Sequence, residues 1–292
     1  MSTLSGPGPV VETSVPATAR TGAFLTRVEL SIGAIDLIRF VQFDHDFPRH
    51  AHDYFTLGVF GSGNGTLGYR GARWQASSGS VIAVPPDEVH EAEPVAGEGW
   101  CYDALYPSRA MVALALGLDR EQGVPFLERP IFDDARLAGE VRAVHQGLRD
   151  GGELLATETA LLGMLRRLME HHGASRRVPS AARGSLHAVA IARDYLHAHF
   201  AEPVMLQQLS TECGMSPFHL LRIFRNATGL PPHAYLTQVR AAHARDLLRQ
   251  GESLSTIAYR CGFADQSHFT RTFKRIFGVT PGAYQVAARP AA

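Results

Sequence analysis

The 292-residue sequence predicts an α+β protein in two domains: an amino-terminal β-barrel with a helical pair, then a carboxy-terminal all-α domain built from two similar units. Three observations predict it. Between residues 47 and 94, short apolar runs are cut by glycine-rich turns at Gly61–Gly65, Gly71 and Gly79, the spacing of an all-β barrel or sandwich. Residues 206–235 and 254–284 carry the same pattern twice, and an internal repeat fixes architecture before any single residue does. Between the two regions, residues 173–184 are polar and rich in small residues, as a linker would be.

Bulk composition narrows the class. At 45% hydrophobic and 19% charged residues, the chain has the make-up of a globular protein with a sizeable core in each half. Three cysteines, Cys101, Cys213 and Cys261, do not make a disulfide framework, so a reducing cytoplasm is expected. No apolar run approaches the roughly 20 residues that span a membrane. Residues 1–20 are rich in Ser, Thr, Pro and Ala without an apolar signal core, and read as a disordered tail. The net charge of zero hides an asymmetry. Residues 185–285 hold ten Lys/Arg against six Asp/Glu, whereas residues 1–184 hold 17 against 22. Opposite signs suggest that the halves face different partners.

Residues 21–110 form the expected barrel. The run Ile35–Val41 mixes alternation with β-branched and aromatic residues, and further strands are expected at 54–60, 66–69, 81–84 and 100–106. His50 and His52 are two apart, so on a strand they share a face, and His90 from a neighbouring strand can join them. Together with Gly79 and Pro85-Pro86, this arrangement resembles the two motifs of a small cupin barrel. A metal-binding cupin adds a carboxylate shortly after its histidine pair. Here Tyr54, Phe55 and Thr56 stand there, and alternation points Asp53 away. Two uses of the barrel follow. Arg49, His50, His52, Tyr54, His90, Trp100 and Tyr102 mix aromatic and basic groups suited to a small anionic or aromatic effector. Alternatively His50, His52 and His90 hold a divalent Zn²⁺, Fe²⁺ or Ni²⁺ ion. No other cofactor is expected.

Residues 111–172 read as a helical dimerisation or relay region, with amphipathic helices over 133–149 and 153–172. The apolar face of the second, from Leu154 to Met169, is too broad for a lone surface helix. It packs on the barrel or pairs with a second chain, and dimerisation is the favoured expectation.

The repeated domain spans residues 185–286. Ser185 is expected to cap a first helix reaching Phe200. In the first unit, residues 206–213 form a helix, Gly214 supplies the left-handed turn, Ser216 caps the next helix and Pro217 occupies its first turn. In the second unit, residues 254–261, Gly262, Asp265 and residues 266–277 do the same, and Pro281 is expected to bar further helix. One connecting helix covers 233–250. Each unit is a helix, a tight turn and a helix, the helix-turn-helix signature.

The matched positions Cys213/Cys261, Gly214/Gly262, Arg222/Arg271, Phe224/Phe273, Gly229/Gly278, Pro232/Pro281 and Tyr235/Tyr284 resemble the AraC/XylS family of bacterial transcription regulators. The second unit does so most closely, through Ile257-Ala258, Gly262-Phe263, Ser267, Phe269, Arg271, Phe273-Lys274, Gly278, Thr280-Pro281 and Tyr284. The resemblance implies a ligand-responsive DNA-binding regulator whose two second helices enter successive major grooves, roughly 34 Å apart on one face of double-stranded promoter DNA. RNA polymerase is then an expected partner, with the chain an activator or a repressor according to where its site lies in the promoter, and a homodimer and a cytoplasmic location are expected. The reader residues are then Phe218, Leu221, Arg222 and Arg225 in the first unit and Gln266, Ser267, His268, Arg271 and Lys274 in the second. Arginine bridges guanine and glutamine bridges adenine, whereas Phe218 and Leu221 offer only apolar contact to thymine methyls. Arg225 and Lys274, further along their helices, suit phosphates. An enzyme is not expected; the alternative is a metal-dependent cupin enzyme fused to a DNA-binding module.

Overall fold

The run from Ile35 to Val41 is apolar apart from Asp36 and Arg39 because both faces of its strand are covered. In the computed structural model, which describes residues 21–95, 99–118, 125–174 and 183–288, it lies in β2 (Gly33–Phe43). Strand β1 (Gly22–Leu30) pairs with it in an antiparallel hairpin closed at Leu30↔Gly33, where Gly33 has a φ of +115°. Then follow β3 (Phe47–His50), β4 (Thr56–Ser62), β5 (Gly65–Tyr69), β6 (Ala72–Ala76), β7 (Val81–Val84), β8 (His90–Pro94) and β9 (Trp100–Tyr106). They form a six-stranded sheet, completed by β11 (Ile131–Phe132), in the order β1-β2-β9-β4-β7-β11, and a four-stranded sheet in the order β3-β8-β5-β6. Alternation divides the large sheet. Ile35, Leu37, Leu57, Val59, Val81, Ala83 and Leu105 face outward to helices, while Ile38, Phe40, Phe60, Ile82, Val84, Trp100 and Ala104 face the barrel interior.

The outward face is covered by α1 (Arg109–Leu116), α2 (Ala135–Arg149) and α3 (Leu154–His172). Leu161, Met164, Leu165, Leu168 and Met169 recur at helical spacing and are all buried in this layer. The broad face of α3 is therefore consumed by its own barrel, which corrects the expectation that it serves chiefly for dimerisation. Glu158 adds a polar tether, accepting from the Ser31 backbone N–H at 2.5 Å and from its hydroxyl at 2.7 Å. Leu165→Ala is expected to cost about 2–5 kcal/mol, measured by urea unfolding.

The barrel also reaches past residue 110. Helix α1 and β11 come from the segment expected to be only a helical pair, and β10 (Phe126–Leu127) pairs with β12 (Gly173–Ala174), so the first two linker residues are strand. Two- and eight-residue elements carry too little periodicity to be read from sequence. The expected tail and the rest of the linker before Arg183 lie outside the described residues.

The helical domain comprises α4 (Arg183–Ala198), α5 (Leu206–Glu212), α6 (Pro217–Thr228), α7 (Pro232–Arg249), α8 (Leu254–Arg260), α9 (Gln266–Phe277) and α10 (Pro281–Ala287). Helix α4 begins before Ser185, which therefore lies within its first turn and not ahead of it. Ser216 and Asp265 cap α6 and α9 by accepting from the backbone N–H three residues on, and Gly229 and Gly278 end the two helices with a φ of +75°. Pro281 does not bar helix. It occupies the first turn of α10 beneath the Thr280 cap, where its missing N–H is no loss. Pro232 does the same for α7. Each repeat is thus three helices, closed by a tyrosine on its core phenylalanine: Tyr235 meets Phe224 at 5.4 Å and Tyr284 meets Phe273 at 5.7 Å, both edge to face.

The cores do not follow the domain boundary. Leu209, Leu220, Phe224 and Leu236 of the first unit form a cluster with α4. Ile257, Phe269, Phe273, Ile276, Phe277 and Tyr284 of the second unit are continuous with the barrel interior.

Candidate effector cavity and DNA-reading surface

The open end of the barrel is plugged by the second helical unit, and a cavity remains between them. Its walls include His50, His52, Tyr54, His90, Trp100 and Tyr102 from the barrel, and Arg245, Ile276, Phe277, Val279 and Tyr284 from the helical domain. Its volume is about 60 Å³. That is room for a few waters, and well below the roughly 300 Å³ of a typical site for an organic ligand.

The barrel side is aromatic and imidazole-rich. Tyr54 stacks on His52 at 4.2 Å, and Tyr102 stacks on Phe40 at 4.4 Å. Burial holds the phenols of Tyr54, Tyr102 and Tyr106 protonated, above the ordinary tyrosine range. Burial likewise lowers all three imidazoles, His90 to about 4, so they are neutral near pH 7. One nitrogen of each of His50, His52 and His90 lies within 4.8 Å of the others. The histidines converge as expected, although His52 lies beyond the end of β3 and not on it.

Arg49 is the exception among the expected effector residues. Neighbours on a strand point to opposite faces, so Arg49 cannot follow His50 inward. It is exposed and donates to the Gly229 carbonyl at 3.2 Å, which makes it a contact between domains and not a cavity wall.

Three cavity residues that hydrogen-bond across the two domains were not read as such from sequence. Arg245 sits on the buried stripe of α7 with Ala241, Ala244 and Leu248, and a charge on such a stripe is itself a signal. Its guanidinium bonds Asp53 at 3.1 Å and lies 4.8 Å over the Tyr54 ring. Burial opposes its charge, but Asp53 and the phenols outweigh that and raise its pKa above the ordinary value. Its Nε, like the Trp100 Nε1, is a buried donor with no acceptor among the described residues. Asp36 and Tyr284 are the others. Asp36 accepts from the Tyr284 hydroxyl at 2.7 Å, from Arg27 at 2.6 Å and from Arg249 at 3.4 Å, tying β2 to α7 and α10.

The two helical units are held at matched positions. Tyr284 bonds Asp36 directly. Tyr235, its counterpart, accepts from Arg193 at 2.9 Å, and Arg193 reaches barrel residue Asp87 at 2.5 Å. A Cβ added at Gly278 would meet the Phe47 ring at 3.1 Å, and one at Gly229 would meet Val89 at 2.8 Å. The barrel therefore grips the C-terminal end of each second helix.

The other ends project to solvent. On α9, Gln266, Ser267, Arg271 and Lys274 are exposed, with Arg275 beside them. On α6, Phe218 is 79% exposed and Arg222 is exposed, bonded to His219 Nδ1 at 3.3 Å. Leu221 is half-buried, and Arg225 lines the groove between α6 and the barrel. His268 is half-buried: its ring packs edge-on to Phe263 at 5.6 Å, its Nδ1 is buried with no hydrogen-bond partner among the described residues, and its backbone N–H serves the Asp265 cap. It belongs to the turn as much as to the reading face. Tyr259, on the first helix of the second unit, is 85% exposed and was missed. Its signal was an aromatic residue off the Ile257-Ala258 core face.

A ligand-binding barrel joined to two helix-turn-helix units defines a ligand-responsive DNA-binding regulator. Residues 33–175 match the AraC-like ligand binding domain, and residues 209–287 match a helix-turn-helix domain. The transcriptional activator RhaS of Salmonella schwarzengrund is 30% identical over 249 residues, covering 80% of this chain and 86% of the relative. The uncharacterized transcriptional regulator YbfI of Bacillus subtilis is 28% identical over 235 residues, covering 80% and 85%. The chain belongs to the AraC family of transcription regulators. Its two-domain fold is also that of an apo ToxT variant from Vibrio cholerae, with a TM-score of 0.58 over 86% of this chain and 96% of that one, at 13% identity.

Proposed function

We propose that this regulator is controlled by a small acidic molecule seated between the barrel and the second helix-turn-helix unit. The observation that carries this reading is the cavity wall, which both domains supply. Arg245 brings a buried cation and, with Trp100, a donor lacking an acceptor, while the remaining wall is aromatic. A carboxylate on an apolar body suits such a wall. Solved ToxT structures carry an unsaturated fatty acid and (E)-4-(8-methylnaphthalen-1-yl)but-3-enoic acid, ligands of that class. At about 60 Å³ the cavity does not admit an organic acid as it stands. Entry must separate the second unit from the barrel, and that separation is what couples effector to DNA. Arg245→Met should abolish the rise in Tm that such an acid gives the full chain. A rise equal to that of the unaltered chain would remove Arg245 from the site.

The DNA reading rests on the exposed N-terminal halves of α6 and α9. Gln266, Ser267 and Arg271 read bases, with Arg222 in the first unit. Lys274, Arg225 and the missed Tyr259 contact phosphate, and Phe218 and Leu221 touch thymine methyls or sugar. Arg271→Ala is expected to weaken specific binding by about 1–3 kcal/mol and to relax discrimination at one base pair. A gel shift at fixed salt that shows neither overturns the assignment.

The chain acts by binding and not by turnover, in the cytoplasm, as an activator that meets RNA polymerase. The activator name of the RhaS relatives supports the sign, and no described helix is long and apolar enough to cross a membrane. A homodimer would use the side of α3 its own barrel leaves open, where Leu155, Ala156 and Ala160 are exposed.

A further inference from the structure

Each buried histidine of the barrel commits its Nδ1 to a backbone carbonyl: His50 to Pro48 at 2.9 Å, His52 to Tyr54 at 2.8 Å and His90 to Glu88 at 2.9 Å. A carbonyl only accepts, so each Nδ1 carries the proton and each Nε2 is a free lone pair. Packing does not require this. Three imidazoles are buried side by side, ring centroids 4.2–5.8 Å apart, and all three line the same cavity. The Thr56 hydroxyl donates to His52 Nε2 at 2.9 Å, but among the described residues nothing donates to the Nε2 of His50 or His90.

We propose that His50, His52 and His90 form a three-histidine site for a divalent first-row transition ion of the Zn²⁺ type, with the fourth position open to the cavity. The second-sphere pattern is the one such sites use, in which an Nδ1–H bond to a carbonyl fixes tautomer and ring orientation and leaves Nε2 to ligate. Three protein donors plus an open position is also the ligand count of a non-structural zinc centre. One ring nitrogen of each histidine lies within 4.8 Å of the others, against about 3.3 Å between ligand atoms in a tetrahedron with bonds of 2.0–2.1 Å. Small side-chain rotations close that gap, and the Thr56 bond to His52 is exchanged for the ion. The cavity of about 60 Å³ holds an ion and a water without the separation of the domains that an organic acid requires. With no carboxylate among its donors the site keeps the full charge of the ion, so an anionic oxygen is the favoured fourth ligand. The proposal does not depend on the DNA-reading assignment or on the effector reading above.

The test uses the tag-free full chain, stripped with chelator, dialysed, and titrated with Co²⁺ alone. One Co²⁺ per chain is expected, with the visible absorption of a tetrahedral site that Zn²⁺ then bleaches. His50→Gln and His90→Gln should each lose the absorption, while His171→Ala, on the exposed end of α3, keeps it. X-ray absorption of the zinc-loaded unaltered chain needs no variant to fold. It should show three imidazole nitrogens at about 2.0 Å. Less than a tenth of an equivalent bound, an unchanged spectrum in His90→Gln, or sulfur in the zinc shell would each overturn the site.

Discussion

Asp36→Ala should destabilise the full chain by about 3 kcal/mol, the low end of the range for stripping one partner from a buried ion pair. Asp36 lies inside the seam between barrel and helical domain and serves Arg27, Arg249 and the Tyr284 hydroxyl together. Its removal leaves Arg27, 13% exposed, with only Glu29, which is itself mostly exposed. Arg249 is better placed, being 27% exposed and paired with Asp246, which is why the low end applies. Because Tyr284 loses its tie to β2 at the same time, the second helical unit should also separate from the barrel more easily. Urea unfolding followed by far-UV circular dichroism measures the first effect, and faster proteolysis at the seam reports the second. A loss under about 1 kcal/mol would place Asp36 in an ordinary exposed pair.

Phe273→Ala and Phe224→Ala form the second comparison. Both rings are fully buried at the same repeat position, so each truncation should cost about 3–5 kcal/mol. Their functional consequences should differ. Phe224 packs within the first unit and α4. Phe273 backs Phe277 at 4.4 Å, and Phe277 is a cavity wall facing Tyr54. At a temperature where both variants remain folded, Phe273→Ala should therefore disturb effector binding and Phe224→Ala should not. Equal effects on effector binding would contradict a cavity specific to the second unit.

The parts legible in the sequence are those set by local chemistry. Ser216 and Asp265 read as caps and Gly214 and Gly262 as turns, because each requirement is met within a few residues. The histidine trio was legible through strand alternation for His50 and through the cupin-like run of Gly79, Pro85-Pro86 and His90 for the third. Pro281 was misread because proline breaks a helix interior yet opens a first turn, and its position relative to Thr280 decides which. The broad face of α3 was visible, but an apolar face does not say what covers it. That of α3 lies on its own barrel, and that of α9 completes a core whose other half is Phe60 and its barrel neighbours. Arg245, Asp36 and Tyr284 could not be assembled for the same reason: they meet their barrel partners across 192 to 248 residues of sequence.

The central claim is that one cavity, walled by both domains, couples effector to DNA. Titrating a DNA site selected from random sequence with the full chain, followed by fluorescence anisotropy, tests it most directly. The titration is run with and without an organic acid that raises the Tm of the chain. A shift in Kd on the order of 10-fold is expected, within the usual range for coupling between two sites, and it should vanish in Arg245→Met. An acid that binds the chain yet leaves the Kd for DNA unchanged, or shifts it equally in Arg245→Met, would contradict the account.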